Sequence, residues 1–182
     1  RIYAMKIMRK EFIVRNRMQE TIMKENSILK EIEHPYIVKL HLAFQSATKL
    51  YLVMDFHCGG TLEYQLKQWT MLPETRARFY SAEVALALRY LHSLNITYRD
   101  LKLSNVVINV DGHAVLTDFG LATYETQHLS FCGTPQYVAP EVLRHEAYDC
   151  TVDWWCFGVL LFQLLTGELP FYDLDVPQLF DK

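Results

Sequence analysis

The sequence has little that would staple, span or bind by charge alone. Its four cysteines, Cys58, Cys132, Cys150 and Cys156, are scattered with no CxxC pair. Such spacing points to neither a zinc-ligand array nor a disulfide scaffold, and reduced thiols are expected. The longest strongly apolar run, FGVLLFQLL at residues 157–165, contains Gln163 and falls short of the roughly 20 residues that cross a bilayer. There is no signal-peptide pattern, internal repeat or low-complexity linker. Nor is there an excess of positive charge: the net charge of −3 argues against a nucleic-acid binder driven by bulk electrostatics. What the chain does have is apolar mass. Of its 182 residues, 51% are hydrophobic and 21% charged, enough for a sizeable core in one ordinary domain or part of a larger one.

Periodicity sets out the expected elements. Residues 2–8 (IYAMKIM) alternate loosely and suit a strand buried on one face. Over residues 17–32, Met18, Ile22, Glu25, Ile28, Leu29 and Ile32 fall close to one helical face. His34-Pro35 ends that helix, because the residue before proline is pushed out of helical geometry. Strands are expected at 38–44 and 49–54 around the polar turn QSAT, followed by a break at Gly59-Gly60. A long helix over 74–94 is expected to begin with Pro73 in its first turn. VVIN and AVLT should pair as a hairpin around Asp111-Gly112. A buried helix over 151–166 closes on Gly167. Strands and one helix come first, then mostly helices, which predicts an α+β, two-lobed plan. The expected divisions are a partial N-terminal lobe at 1–54, a hinge at 55–60 and a partial C-terminal lobe at 61–182.

The chemistry concentrates in YRDLKLSN at residues 98–105 and in DFG at 118–120. Phosphoryl transfer needs metal held against phosphate, a cation on the phosphate oxygens and a carboxylate to orient the nucleophile. Asp100 is a carboxylate able to accept a hydroxyl proton, and Lys102 is a cation two residues on. Asn105 offers a neutral amide oxygen suited to Mg²⁺, and Asp118 a charged metal ligand after a strand. A lone RD pair is usually a surface ion pair, and DFG alone occurs by chance. In order with AMK at 4–6 and APE at 139–141, the motifs carry a specific signal.

On these residues the chain resembles the eukaryotic protein kinases over essentially its whole length. YRD and FCGTPQYVAPE resemble the AGC group of serine/threonine kinases. LHSLNITYRDLK, GHAVLTDFGLA and TVDWWCFGVLLFQLLTGELPF are similar to the Akt, S6 kinase and serum- and glucocorticoid-regulated branch. The resemblance implies ATP and Mg²⁺ as cofactors, protein substrates and an intracellular, cytoplasmic or nuclear setting. It implies that Lys6 holds the α- and β-phosphates, paired with Glu25. Ala4 and Val107 would sandwich the adenine, Met54 would be the gatekeeper, and the backbone of Asp55 and His57 would bind the adenine edge. Asp100 would orient the acceptor hydroxyl, Lys102 would neutralise the γ-phosphate, and Asn105 and Asp118 would hold Mg²⁺. Thr134 resembles the residue that bridges catalytic Asp and Lys, and Leu121 one associated with preference for serine. Ser130 occupies the position of an activating phosphorylation site, modified by an upstream kinase and drawn to Arg99. Asp153 would anchor the catalytic loop, Glu141 would pair with a distant arginine, and Leu29, Leu40, Tyr98 and Phe119 would form a hydrophobic spine.

Other positions depart from the pattern. Ser104, Thr61, Gln136 and Gln163 stand where carboxylates are common, and Thr123 where a lysine often supports the phosphorylated loop. The glycine-rich loop would precede Arg1 and the last helices would follow Lys182. On that expectation the chain is a kinase fragment, truncated at both ends, and is poorly stable and nearly inactive in isolation. The alternative is a pseudokinase that keeps the fold as a binding or scaffolding module.

Overall fold

A computed structural model describes residues 2–124 and 127–181. Strand β1 (Tyr3–Arg9) alternates exposed and half-buried residues, so Ala4, Lys6 and Met8 share its inward face. It pairs antiparallel with β3 (Lys49–Asp55), which pairs in turn with β2 (Leu40–Gln45). β2 begins two residues later than the expected strand, and its ladder to β3 is irregular between Leu40 and Leu42.

Helix α2 (Gln19–Glu31) turns Ile22, Glu25, Ile28 and Leu29 inward, a spacing of three and four that fits one helical face. A short helix α1 (Lys10–Arg15), absent from the periodicity reading, connects β1 to it. Six residues give too little periodicity to separate helix from loop.

The second part is mostly helical. Helix α3 (Leu62–Trp69), also not anticipated, is capped by Thr61, whose hydroxyl accepts from the Tyr64 amide at 3.0 Å. Helix α4 (Glu74–Ser93) buries Val84, Leu88 and Leu91 as expected. Pro73 flanks α4 in extended geometry instead of entering its first turn. Strands β4 (Val106–Ile108) and β5 (Ala114–Leu116) form the expected hairpin. Two short helices, α5 (Pro140–Leu143) and α7 (Val176–Phe180), flank the buried helix α6 (Val152–Thr166).

Gly167 ends α6 with φ of 81°, and a Cβ there would lie 2.2 Å from the Thr70 carbonyl oxygen. Only glycine fits that left-handed, crowded stop. One continuous core links the two parts. It includes Ile28, Leu29 and Leu52 from the first, and Leu88, Leu101, Phe119 and Leu160 from the second. Among the described residues, no helix is long and apolar enough to cross a membrane.

Candidate active site

The loop after α4 is held from behind by one buried carboxylate. Asp153, fully buried on α6, accepts the backbone N–H groups of Tyr98 at 2.9 Å and Arg99 at 2.8 Å. His92 meets the same carboxylate at 2.8 Å. Arg99 sits at φ of 68°, a left-handed conformation that a non-glycine residue keeps only where its surroundings enforce it. Asp153 is that enforcement, as the sequence reading anticipated; its partner His92 was not foreseen. The Tyr98 ring packs edge-on to Phe119 at 5.2 Å, and its hydroxyl donates to the Thr117 carbonyl. Leu29, Tyr98 and Phe119 are buried, with Leu40 packed against the same core.

That anchored loop presents a compact polar cluster. Lys102 Nζ donates to Asp100 Oδ2 at 2.8 Å and to Thr134 Oγ1 at 2.9 Å. Thr134 in turn donates to Asp100 Oδ1 at 2.9 Å. Asn105 Nδ2 contacts both the carbonyl and the carboxylate of Asp100 at 2.9 Å. With its amide nitrogen so engaged, Asn105 keeps its carbonyl oxygen as the atom suited to a hard cation.

In a second cluster, Lys6 Nζ lies 2.6 Å from Glu25 Oε1 and 3.1 Å from Asp118 Oδ1. Burial would lower the Lys6 pKa, but the Glu25 and Asp118 carboxylates outweigh it and raise it above 10.5. The ammonium is therefore charged throughout the neutral range. Glu25 is buried at 2% exposure, which rules out the solvated helix charge as its role. The Asp118 side chain is half exposed, and its φ of 54° lies in the left-handed region.

Beside Lys6, Glu25 and Asp118 opens a cleft of about 310 Å³. Ala4, Lys6, Glu25, Met54, Asp55, His57 and Val107, assigned separately from the sequence, all line it, together with Asp118. It is apolar at its walls and charged at one end, the mixture that suits a nucleotide base with phosphates beyond it. A larger hollow of about 790 Å³ lies between Phe131 and Phe180 and contains none of these groups. Among the described residues, no cluster of three or more His, Cys, Asp or Glu is poised to hold a metal. A cation on Asn105 and Asp118 would complete its shell from phosphate and water, which fits Mg²⁺.

Some contacts had no sequence signal. Asp55 turns its carboxylate to His41 at 2.8 Å, so this side chain is engaged. The His57 ring buries Nε2 without a partner, and burial, opposed in part by Asp55, lowers its pKa below 6.5. By contrast, the sequence reading itself pairs Arg99 with Ser130, as the partner of its phosphate; here Ser130 Oγ accepts from Arg99 Nη1 at 2.9 Å, while Arg99 Nε donates to the Leu121 carbonyl at 2.7 Å. Thr123 is buried and pairs with Thr97 through both backbone amides. Gln163 accepts the Tyr137 hydroxyl.

The family model of the protein kinase domain matches residues 1–181. The chain belongs to the protein kinase family. The kinase domain is 50% identical over 185 residues to serine/threonine-protein kinase Sgk1 of Homo sapiens, covering 99% of this chain and 43% of that protein. Sgk1 of Gallus gallus is 49% identical over 185 residues, with the same coverage. Sgk3 of Rattus norvegicus is 48% identical over 187 residues, covering 100% of this chain and 38% of that protein. The kinase domain thus spans less than half the length of these curated relatives. Its mixed helix and sheet accord with the two-lobed kinase fold, and its relatives with the AGC-type motifs read from the sequence.

Proposed function

We propose that the protein is an ATP- and Mg²⁺-dependent serine/threonine protein kinase acting in intracellular signalling. One observation carries the reading: Lys6, Glu25 and Asp118 join in ion pairs along one cleft, and Asp100, Lys102, Asn105 and Thr134 join in one hydrogen-bonded cluster. Kinship to proteins named serine/threonine kinases supports it. The pseudokinase alternative explains the fold but leaves unexplained why all these groups keep hydrogen-bonding geometry.

Each side chain has a task. The apolar wall formed by Ala4, Met54 and Val107 receives the adenine, and Lys6, oriented by Glu25, receives α- and β-phosphate oxygens. Mg²⁺ bound by Asn105 and Asp118 would neutralise charge developing on the phosphates. Asp100 orients the acceptor hydroxyl in line with the γ-phosphorus. The hydroxyl oxygen forms the new P–O bond as the bond to the β-phosphate oxygen breaks. ADP leaves with that electron pair, and Asp100 takes the hydroxyl proton. Lys102 offsets charge on the transferred group, and Thr134 holds Asp100 and Lys102 together. Protein substrates and an upstream kinase acting at Ser130 belong to the same reading.

The test is phosphotransfer by the full-length protein and its Asp100→Asn variant. The variant should lose roughly 10²–10⁴-fold in kcat while still binding nucleotide. Equal rates for the two proteins would refute the assignment.

A further inference from the structure

The segment that carries Thr134 toward Asp100 is held at several points by one residue, Tyr148. Tyr148 is buried, at 5% exposure, in a small apolar cluster with Val138, Val142 and Val152. Its backbone exchanges two hydrogen bonds with His128, at 2.8 and 3.1 Å, and the two rings lie 5.1 Å apart. Its hydroxyl donates to the Ser130 carbonyl at 2.7 Å, lies 3.4 Å from Ser130 Oγ and meets Cys132 Sγ at 3.7 Å. One side chain thus holds alternate positions of an extended stretch. Beyond Cys132, Gly133 passes close to the Arg99 carbonyl: a Cβ there would lie 3.2 Å from that oxygen, at φ of 110°. Thr134 then reaches Asp100 and Lys102.

We propose that the Tyr148 hydroxyl is a positioning group that sets the register of residues 130–134, aligning Ser130 with Arg99 and Thr134 with Asp100. This rests on the kinase reading above and deepens it. The ring and the hydroxyl have separable jobs. The ring fills the apolar cluster and packs on His128, whereas the hydroxyl makes the part-buried contacts to Ser130 and Cys132. Removing the hydroxyl alone should loosen the segment without unfolding the domain.

Tyr148→Phe in the full-length protein tests this, because it keeps the ring. The expected result is a five- to tenfold fall in kcat, about the worth of one hydrogen bond. KM for ATP and the thermal midpoint should stay unchanged, since neither the nucleotide cleft nor the core is touched. Backbone amides of residues 129–134 should exchange with solvent several-fold faster. Unchanged kcat with unchanged exchange would overturn the proposal. So would parallel losses in kcat, ATP KM and thermal midpoint, which mark a structural role only. An inactive wild-type protein would sink the kinase reading, and the exchange measurement would then decide on Tyr148 by itself.

Discussion

The Thr134 hydroxyl lies 2.9 Å from the Asp100 carboxylate and 2.9 Å from the Lys102 ammonium, so Thr134 closes these two charged groups into a triangle. The triangle ties the position of Thr134 to the orientation of Asp100, which on the proposed reading receives the acceptor proton. Thr134→Ala should therefore lower kcat by roughly 10- to 150-fold, a hydrogen bond to a charged group being worth roughly 1.5–3 kcal/mol. Thr134→Ser, which restores the hydroxyl, should recover most of the rate. Steady-state kinetics of both variants measure this, and equal rates for Ala and Ser would contradict the role.

Lys6 bridges Glu25 at 2.6 Å and Asp118 at 3.1 Å. Glu25→Gln removes the buried carboxylate that orients the ammonium while leaving most of the side-chain volume. The expected outcome is a rise in the KM for ATP by about tenfold, from loss of one charge-assisted bond. Titration with a fluorescent nucleotide analogue reads it directly. Because the Lys6 pKa is raised, this ion pair contributes fully below the ordinary lysine value of 10.5 and is lost only as pH climbs through the still higher folded value. The effect of Glu25→Gln should accordingly be flat between pH 6 and 9.

His34 and His57 behave in the opposite sense. Burial penalises the imidazolium and lowers both below 6.5, with Asp55 partly opposing the shift at His57. The unfolded chain then binds more protons than the folded one as pH drops past 6.5, so stability is present above that value and is lost as pH falls toward the folded values. The thermal midpoint should decline between pH 7 and 5, and His57→Gln should flatten part of that decline. An identical pH profile for the variant would exclude His57 as a contributor.

Ser104, Thr61, Gln136 and Gln163 bring no carboxylate to the neighbourhood of the catalytic loop. Thr61 instead caps α3, and Gln163 accepts from Tyr137. Charge-assisted bonds that would select arginine are missing at these positions. Arrayed acceptor peptides should therefore show a weakened preference for upstream arginine. A profile still dominated by upstream arginine would refute the expectation.

Much of this molecule could be read locally. Ala4 and Lys6 share a strand face by two-residue alternation, and Glu25 falls on the apolar side of α2 between Ile22 and Ile28. Those periods are fixed by backbone geometry and need no partner to be visible. Short elements such as α1 and α3 escaped, because six or eight residues give periodicity too little length and packing decides them. The irregular pairing of β2 with β3 between Leu40 and Leu42 likewise leaves no trace in residue type.

Taken alone, the order of residues determined which chemical groups the chain carries, at what spacing, and on which face of each long helix or strand. Tertiary structure alone decided their partners. Lys6 and Asp118 meet across 112 residues, Asp153 holds the Arg99 amide across 54, and Tyr148 reaches back 18 to Ser130. Such contacts form only when the folded core repays the entropy of closing long loops, a balance that no local stretch contains.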